Sequence, residues 1–236
     1  MSLDSALRLN NDAVALLVAG QERKALVQLQ QAVALVKRII ARHLHSRGGR
    51  SSPKSVLDLD TSNSSNSRQS SSSLTMEQLH QDSVQLGGLA NLQCYVYNRA
   101  FRVSSEELLP ENIEGAAQIG SAIIIFNMAL VLHRTCLLRN RLVPASKSMA
   151  LYKIVLQLLK QSPMHGIAGA IKLAALNNMA QLQFEEGEYT DATRGFASLA
   201  SLMTSLQDAP LGASEMRGIV INILCLKKGA KFAPAA

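Results

Sequence analysis

Residues 176–196, LNNMAQLQFEEGEYTDATRGF, constrain the fold of this chain more than any other stretch. Their apolar residues predict two helices joined by a tight turn, with Gly187 ending the first helix. Ala180 lies midway along the first helix, and Ala192 and Phe196 follow four residues apart in the second. Small side chains at these positions let two helices cross closely, so the stretch predicts a helix hairpin.

The same unit recurs elsewhere in the chain. Asn11, Asn127 and Asn178 each precede a small alanine by two residues, and a looser fourth copy begins at Asn222. Helical periodicity covers seven stretches, namely residues 3–19, 22–45, 112–138, 145–159, 167–186, 189–205 and 214–227. We therefore predict three helix pairs plus a terminal helix, forming one domain over residues 1–236.

Around Gly187 the chain resembles the tetratricopeptide repeat, since Ala180, Ala192 and Phe196 match the small and large apolar positions of that family. The resemblance implies a mainly α fold, an antiparallel helix-pair stack or α-solenoid. The copies at Asn11, Asn127 and Asn178 are 116 and 51 residues apart, whereas the family repeats at about 34. A generic stack of helix pairs is therefore the alternative.

Two stretches depart from the helical pattern. Residues 46–75 contain twelve serines, a composition that cannot bury enough apolar surface to fold, so we predict a disordered loop. Residues 92–103, LQCYVYNRAFRV, place Tyr95, Tyr97, Phe101 and Val103 on one parity. That alternation predicts a small β-strand or hairpin element.

Charge is distributed unevenly along the chain. The net charge is +7, yet residues 115–184 carry seven basic residues and no acidic one, while residues 55–114 sum to −5. Either the acidic segment neutralises the basic one, or the basic helices present a positive surface to an acidic partner. Nucleic acid is disfavoured, because no aromatic residues are interleaved with the basic ones.

Composition argues against other classes of protein. Cys94, Cys136 and Cys225 are scattered, which fits neither a disulfide framework nor a zinc site. The N-terminus has no signal-peptide pattern, and the apolar run 119–132 is too short to span a bilayer. We expect a cytoplasmic protein with no membrane segment, no catalytic residues, no metal and no cofactor.

The tetratricopeptide resemblance implies that first helices line a peptide-binding groove. The candidate peptide-binding residues are Asn127, Asn178, Arg134 and Gln181. We predict a non-catalytic adaptor or scaffold with a basic groove, binding an acidic protein or peptide. In the alternative, the asparagines bridge neighbouring helices and the protein is structural or self-associating as a homo-oligomer. An open groove favours the adaptor, whereas a groove filled by residues 92–103 favours self-packing.

Overall fold

The structure is a computed structural model that describes residues 2–46, 95–104, 108, 113–139, 142–206 and 211–229. The protein is mainly helical, and these ranges contain seven helices and no strand. The helices are α1 (Leu3–Val18), α2 (Glu22–Ser46), α3 (Ile113–Arg139), α4 (Leu142–Leu158), α5 (Gly166–Glu185), α6 (Tyr189–Thr204) and α7 (Ala213–Gly229). The predicted ends lie within three residues of these bounds.

Two of the interhelical turns have the same construction. Gly20 and Gly187 take φ values of 70° and 82°, the left-handed region in which glycine has no steric penalty. Each glycine N–H, and the N–H that follows it, donates to carbonyls of the last turn of the preceding helix. This helix ending satisfies carbonyls that have no partner within the helix, and it allows the next helix to begin two residues later.

The helices pack as pairs that adjoin one another in chain order. α1 packs on α2, α3 on α4 and α5 on α6, and α2 and α4 pack against the pair that follows. The first helices of the three pairs and the terminal helix α7 also adjoin one another, since α1 contacts α3, α3 contacts α5, and α5 contacts α7. We call these four helices together the first helices. α1, α3, α5 and α7 therefore form a row of neighbouring helices.

The crossing of α5 and α6 shows why small residues recur in the repeat. Ala180 of α5 is fully buried, and a Cβ built on Gly195 of α6 would lie 2.8 Å from its Cβ. Glycine at position 195 thus permits an approach that any larger side chain would prevent. Phe196 and Leu199, on the same helix, fill the adjoining space of this core cluster.

α3 is the most apolar helix of the described chain. Its Gly115–Cys136 stretch has a mean hydropathy of 1.8 and is long and apolar enough to cross a membrane by length and composition. That stretch exceeds the 119–132 run on which the sequence prediction relied. However, 67% of its most apolar part is buried inside the protein. A helix in the core of a protein can be as apolar as a membrane helix, so composition alone does not distinguish the two.

The predicted β-strand or hairpin near residues 92–103 is not found in the described part of that stretch. Residues 95–104 have no assigned secondary structure, because the groups that bond their backbone are side chains of helices rather than another strand. Ser46 is the last residue of α2. The remainder of the predicted disordered loop, residues 47–75, lies outside the described residues.

Candidate functional site: an asparagine row along the first helices

Residues 95–104, which we call the groove segment, lie across the first helices α1, α3, α5 and α7. Four asparagines, one from each of these helices, bond both the backbone N–H and the backbone C=O of one residue of the segment. The pairs are Asn222 with Tyr95, Asn178 with Tyr97, Asn127 with Phe101, and Asn11 with Val103. Their N···O distances lie between 2.6 and 3.1 Å. We call these four asparagines the asparagine row.

The chemistry of the asparagine side chain explains the arrangement. Its primary amide offers a carbonyl acceptor and an N–H donor, the same pair of groups that a neighbouring β-strand would present. One asparagine can therefore bond both polar groups of an extended residue on one edge. Because alternate residues direct their N–H and C=O to the same edge, the bonded positions are all odd-numbered.

The spacing of the bonded residues matches the spacing of the helices. An extended chain rises about 3.3 Å per residue, so the eight steps from Tyr95 to Val103 span about 26 Å. Three steps between packed helices, at about 8–10 Å each, require about 24–30 Å. Strict bonding of every second residue would cover only about 20 Å. The row therefore skips Arg99, whose side chain binds Glu215 of α7 instead.

Two further asparagines connect neighbouring helices of the row. Asn10 donates to the Phe101 carbonyl at 3.1 Å and accepts from Asn127 at 2.8 Å. Asn177 likewise donates to the Tyr95 carbonyl at 3.1 Å and accepts from Asn222 at 2.8 Å. Both side chains are fully buried, so they supply the partners that buried amides require.

Aromatic rings also hold the groove segment in place. The ring of Phe126, fully buried on α3, lies 5.1 Å from the Phe101 ring, 6.0 Å from that of Tyr97 and 5.6 Å from that of Tyr152. Tyr97 and Phe101 also stack on each other at 5.5 Å. These distances suit edge-on and offset packing of aromatic rings. The segment is therefore part of the main hydrophobic core as well as a ligand of the asparagines.

A buried polar chain continues from the asparagine row into the helix layer. Asn178 donates to the Tyr152 hydroxyl at 3.1 Å, and His133 Nδ1 lies 3.3 Å from the same hydroxyl. Burial raises the pKa of Tyr152 well above its ordinary value, so this hydroxyl stays protonated. His133 is fully buried, and burial lowers its pKa to about 4. The hydrogen-bonded side chains of Asn178, Tyr152 and His133 are therefore uncharged at physiological pH.

The buried imidazole of His133 makes stability depend on pH. An unfolded histidine binds a proton below about pH 6.5, whereas His133 in the folded protein does so only near pH 4. Unfolding therefore takes up a proton in this window, and we expect acidification from pH 6.5 to pH 4 to cost about 3 kcal/mol. Urea titrations at several pH values measure this loss. In His133→Gln the loss should be much smaller between pH 6.5 and 4.5, and equal slopes in both proteins would contradict the assignment.

At its N-terminal end the groove segment meets α7. Arg99 Nη1 lies 2.5 Å from Glu215 Oε1, and Ser214 Oγ donates to Glu215 Oε2 at 2.8 Å. The hydrogen bond from Arg99 lowers the pKa of Glu215, so its carboxylate is ionised. A Cβ built on Gly218 would lie 2.4 Å from atoms of the Tyr95 ring. Glycine at this position thus makes room for that ring.

The structure brings two of the four sequence-predicted site residues together. Asn127 and Asn178 both face the groove segment and bond its backbone. Arg134 instead forms an ion pair with Glu22 of α2 at 3.5 Å. Gln181 bonds Glu185, one turn further along α5.

Four asparagines of the site were not among the predicted site residues, namely Asn10, Asn11, Asn177 and Asn222. Asn11 and Asn222 did appear as markers of the repeat, and that recurrence was the available signal for their role. Asn10 and Asn177 each precede a member of the asparagine row in the sequence. The Asn-Asn pairs at 10–11 and 177–178 are thus the local signature of the site.

The asparagine row bonds the backbone of the groove segment through neutral amide groups. Among the described residues, no cluster of three or more His, Cys, Asp or Glu side chains is placed to hold a metal ion. Three basic residues of the acid-free stretch, Lys147, Lys153 and Lys160, are exposed on or just after α4, which is not a helix of the row. Comparison with known proteins gives no matching family model, no matching curated protein and no matching solved structure.

Proposed function

We propose that this chain is a non-catalytic peptide-binding scaffold built as a tetratricopeptide-like α-solenoid, and that its first helices hold extended peptides through the asparagine row. The observation that carries the proposal is the repeated bonding of one residue's N–H and C=O by one asparagine, on four successive first helices. In the present structure the groove segment is the occupant.

The mode of bonding supports a role beyond a single fixed occupant. The hydrogen bonds between the asparagine row and the groove segment involve only main-chain atoms of the segment, which every peptide possesses, so the row accepts any sequence able to extend along it. The side chains of the segment add affinity through burial, as Tyr97 and Val103 do. A segment of another protein with matching side chains would make the same contacts once the chain's own segment is displaced.

A peptide-binding experiment tests this proposal. The protein is the full chain carrying Arg99→Ala, an exposed position whose change removes the ion pair to Glu215 and weakens the chain's own segment. The probe is a fluorescent peptide with the sequence of residues 95–104. The matched control is the same peptide N-methylated at the residues corresponding to Tyr97 and Phe101, which cannot donate to Asn178 and Asn127.

We expect saturable binding of the unmodified peptide and a loss of at least tenfold in affinity for the N-methylated one, since two backbone hydrogen bonds are removed. The protein's own groove segment is tethered and competes with the peptide, which weakens the apparent affinity. The measurement therefore uses fluorescence anisotropy at peptide concentrations up to about 1 mM. Equal affinity for both peptides would show that the asparagines do not recognise the backbone. Failure of the unmodified peptide to bind would refute the proposal.

A structural role is the second candidate, favoured by the burial of the segment's rings among Phe126 and Tyr152. In that case residues 95–104 are a permanent part of the core and no other ligand exists. Native-state hydrogen exchange on the unmodified chain separates the two. A releasable segment exchanges its Tyr97 and Phe101 amides at a lower opening free energy than the Ala129 and Ala174 amides of α3 and α5. If the segment is a permanent part of the core, the amides of all four residues exchange only when the whole protein unfolds.

A further inference from the structure

Helix α7 presents three residues to the first half of the groove segment, and they lie on one face because they are three and four residues apart. Glu215 binds the Arg99 side chain, Gly218 faces the Tyr95 ring, and Asn222 bonds the Tyr95 backbone. Asn222 recognises only the main chain. Glu215 and Gly218 recognise side chains, and so they distinguish one peptide from another.

Glu215 requires a cation at one position of the bound peptide. Its side chain is 8% exposed, whereas that of Arg99 is 71% exposed. The carboxylate belongs to the scaffold, so an occupant without a basic residue would leave it with the Ser214 hydroxyl as a hydrogen-bond donor but with no opposite charge. An acidic residue at the same position would add direct repulsion. The positive partner therefore has to come from the occupant.

Gly218 has no side chain, so a planar aromatic ring can lie directly against its backbone. The Tyr95 ring atoms Cγ, Cδ1 and Cδ2 all lie within 2.6 Å of the Cβ that any other residue would carry there. Alanine is a better helix former than glycine, so the glycine serves the contact with the ring and not the helix. Burial on this surface also raises the pKa of Tyr95 to about 12.

We infer that α7 selects the peptides that the asparagine row holds, accepting those with an aromatic residue at the position of Tyr95 and a basic residue four positions later. This inference rests on the proposed function. It specifies the partner as an extended peptide with the pattern aromatic-x-x-x-basic. The basic residue of this pattern has the opposite charge to the acidic partner that was predicted from the sequence. Acidic surfaces remain suited to the exposed lysines of α4, which do not line the row.

The experiment uses the full chain carrying Arg99→Ala in three forms: with Glu215 unchanged, with Glu215→Gln and with Glu215→Arg. The probes are three fluorescent peptides with the sequence of residues 95–104, carrying arginine, alanine or glutamate at the fifth position. With Glu215 present we expect the arginine peptide to bind about tenfold more tightly than the alanine peptide, as one charge-assisted hydrogen bond is gained. The glutamate peptide should bind most weakly.

The Glu215 variants decide between charge recognition and general effects of the substitutions. In Glu215→Gln the arginine and alanine peptides should bind within about twofold of each other, and in Glu215→Arg the glutamate peptide should bind most tightly. The same order of affinities in all three proteins would overturn the inference and leave the proposed function intact. Failure of every peptide to bind would refute both.

A second variant tests the aromatic position without changing any charge. Gly218→Ala should reduce at least tenfold the preference for a peptide with tyrosine at the first position over a peptide with alanine there, because the new Cβ occupies the place of the ring. This preference compares two peptides on the same protein, so a change in competition from the chain's own Tyr95 affects both peptides equally. Equal loss for both peptides would assign the effect to a shifted α7 and contradict ring recognition. Circular dichroism of each variant confirms that the helices are intact.

Discussion

Replacing Asn178 by alanine is expected to lower the free energy of unfolding by about 3–5 kcal/mol, because two buried backbone groups then lose their partner and each costs about 1–3 kcal/mol. The side chain is fully buried and bonds the N–H and the C=O of Tyr97, each at 2.8 Å. It also donates to Tyr152. Urea denaturation followed by circular dichroism gives this difference.

Two variants show whether the loss arises from the bonding pattern. Asn178→Asp retains an acceptor for the Tyr97 N–H but replaces the donor with an oxygen that faces the Tyr97 carbonyl, so we expect a loss at least as large as for alanine. Asn11→Ala removes the same two bonds at Val103 from a half-buried side chain. Water can replace those bonds, and the expected loss is about 1 kcal/mol. Equal losses for Asn11→Ala and Asn178→Ala would contradict this account.

The helices were predictable because each is specified by its own residues. Residues three and four apart define the buried face of α6, whereas α5 is buried on nearly every side, and Gly187 marks the end of α5 in the sequence as it does in the structure. The asparagine row was partly predictable for a related reason. Asn127 and Asn178 occupy the same place in successive copies of one unit, and equal positions in repeated units face the same surface.

The partner of the row was not predictable from local patterns. Alternation of Tyr95, Tyr97, Phe101 and Val103 predicted a β-strand or hairpin, whereas in the structure these four residues have no strand partner and are bonded by the asparagines. Periodicity does not reveal whether the bonding groups belong to another strand or to side chains, because an asparagine amide and a peptide group offer the same donor and acceptor. The prediction of a β element therefore identified the right segment and the wrong partner.

Charge pairs were the least predictable feature, because their members lie far apart in the sequence. Arg134 was predicted to bind a peptide, and its observed partner is Glu22, on another helix. Glu215 had no assigned role, and it binds Arg99. The net charge of a stretch shows where unpaired charge is abundant, but only the packing of helices decides which groups come within about 4 Å of each other.

Replacing Phe126 by alanine should have an effect of similar size, about 3–5 kcal/mol, since a fully buried ring leaves a large cavity. The ring is shared by α3 and the groove segment, so its loss should also increase exchange of the Tyr97 and Phe101 amides. Phe126→Leu retains most of the apolar volume and should cost about 1–2 kcal/mol. As a control, Tyr189→Ala removes a ring that is 56% exposed, with an expected cost below about 1 kcal/mol.

The exchange pattern of the Phe126 variants carries the stronger conclusion. If Phe126→Ala increases exchange in the groove segment more than in α5, the segment is held by rings and asparagines together, and weakening either set releases it. Such a variant should bind the peptide of residues 95–104 no more tightly than the parent protein, because the peptide loses the same contacts to the Phe126 ring as the chain's own segment does. Uniform acceleration of exchange along α3, α5 and the segment would instead show that they unfold as one unit, as the structural role requires.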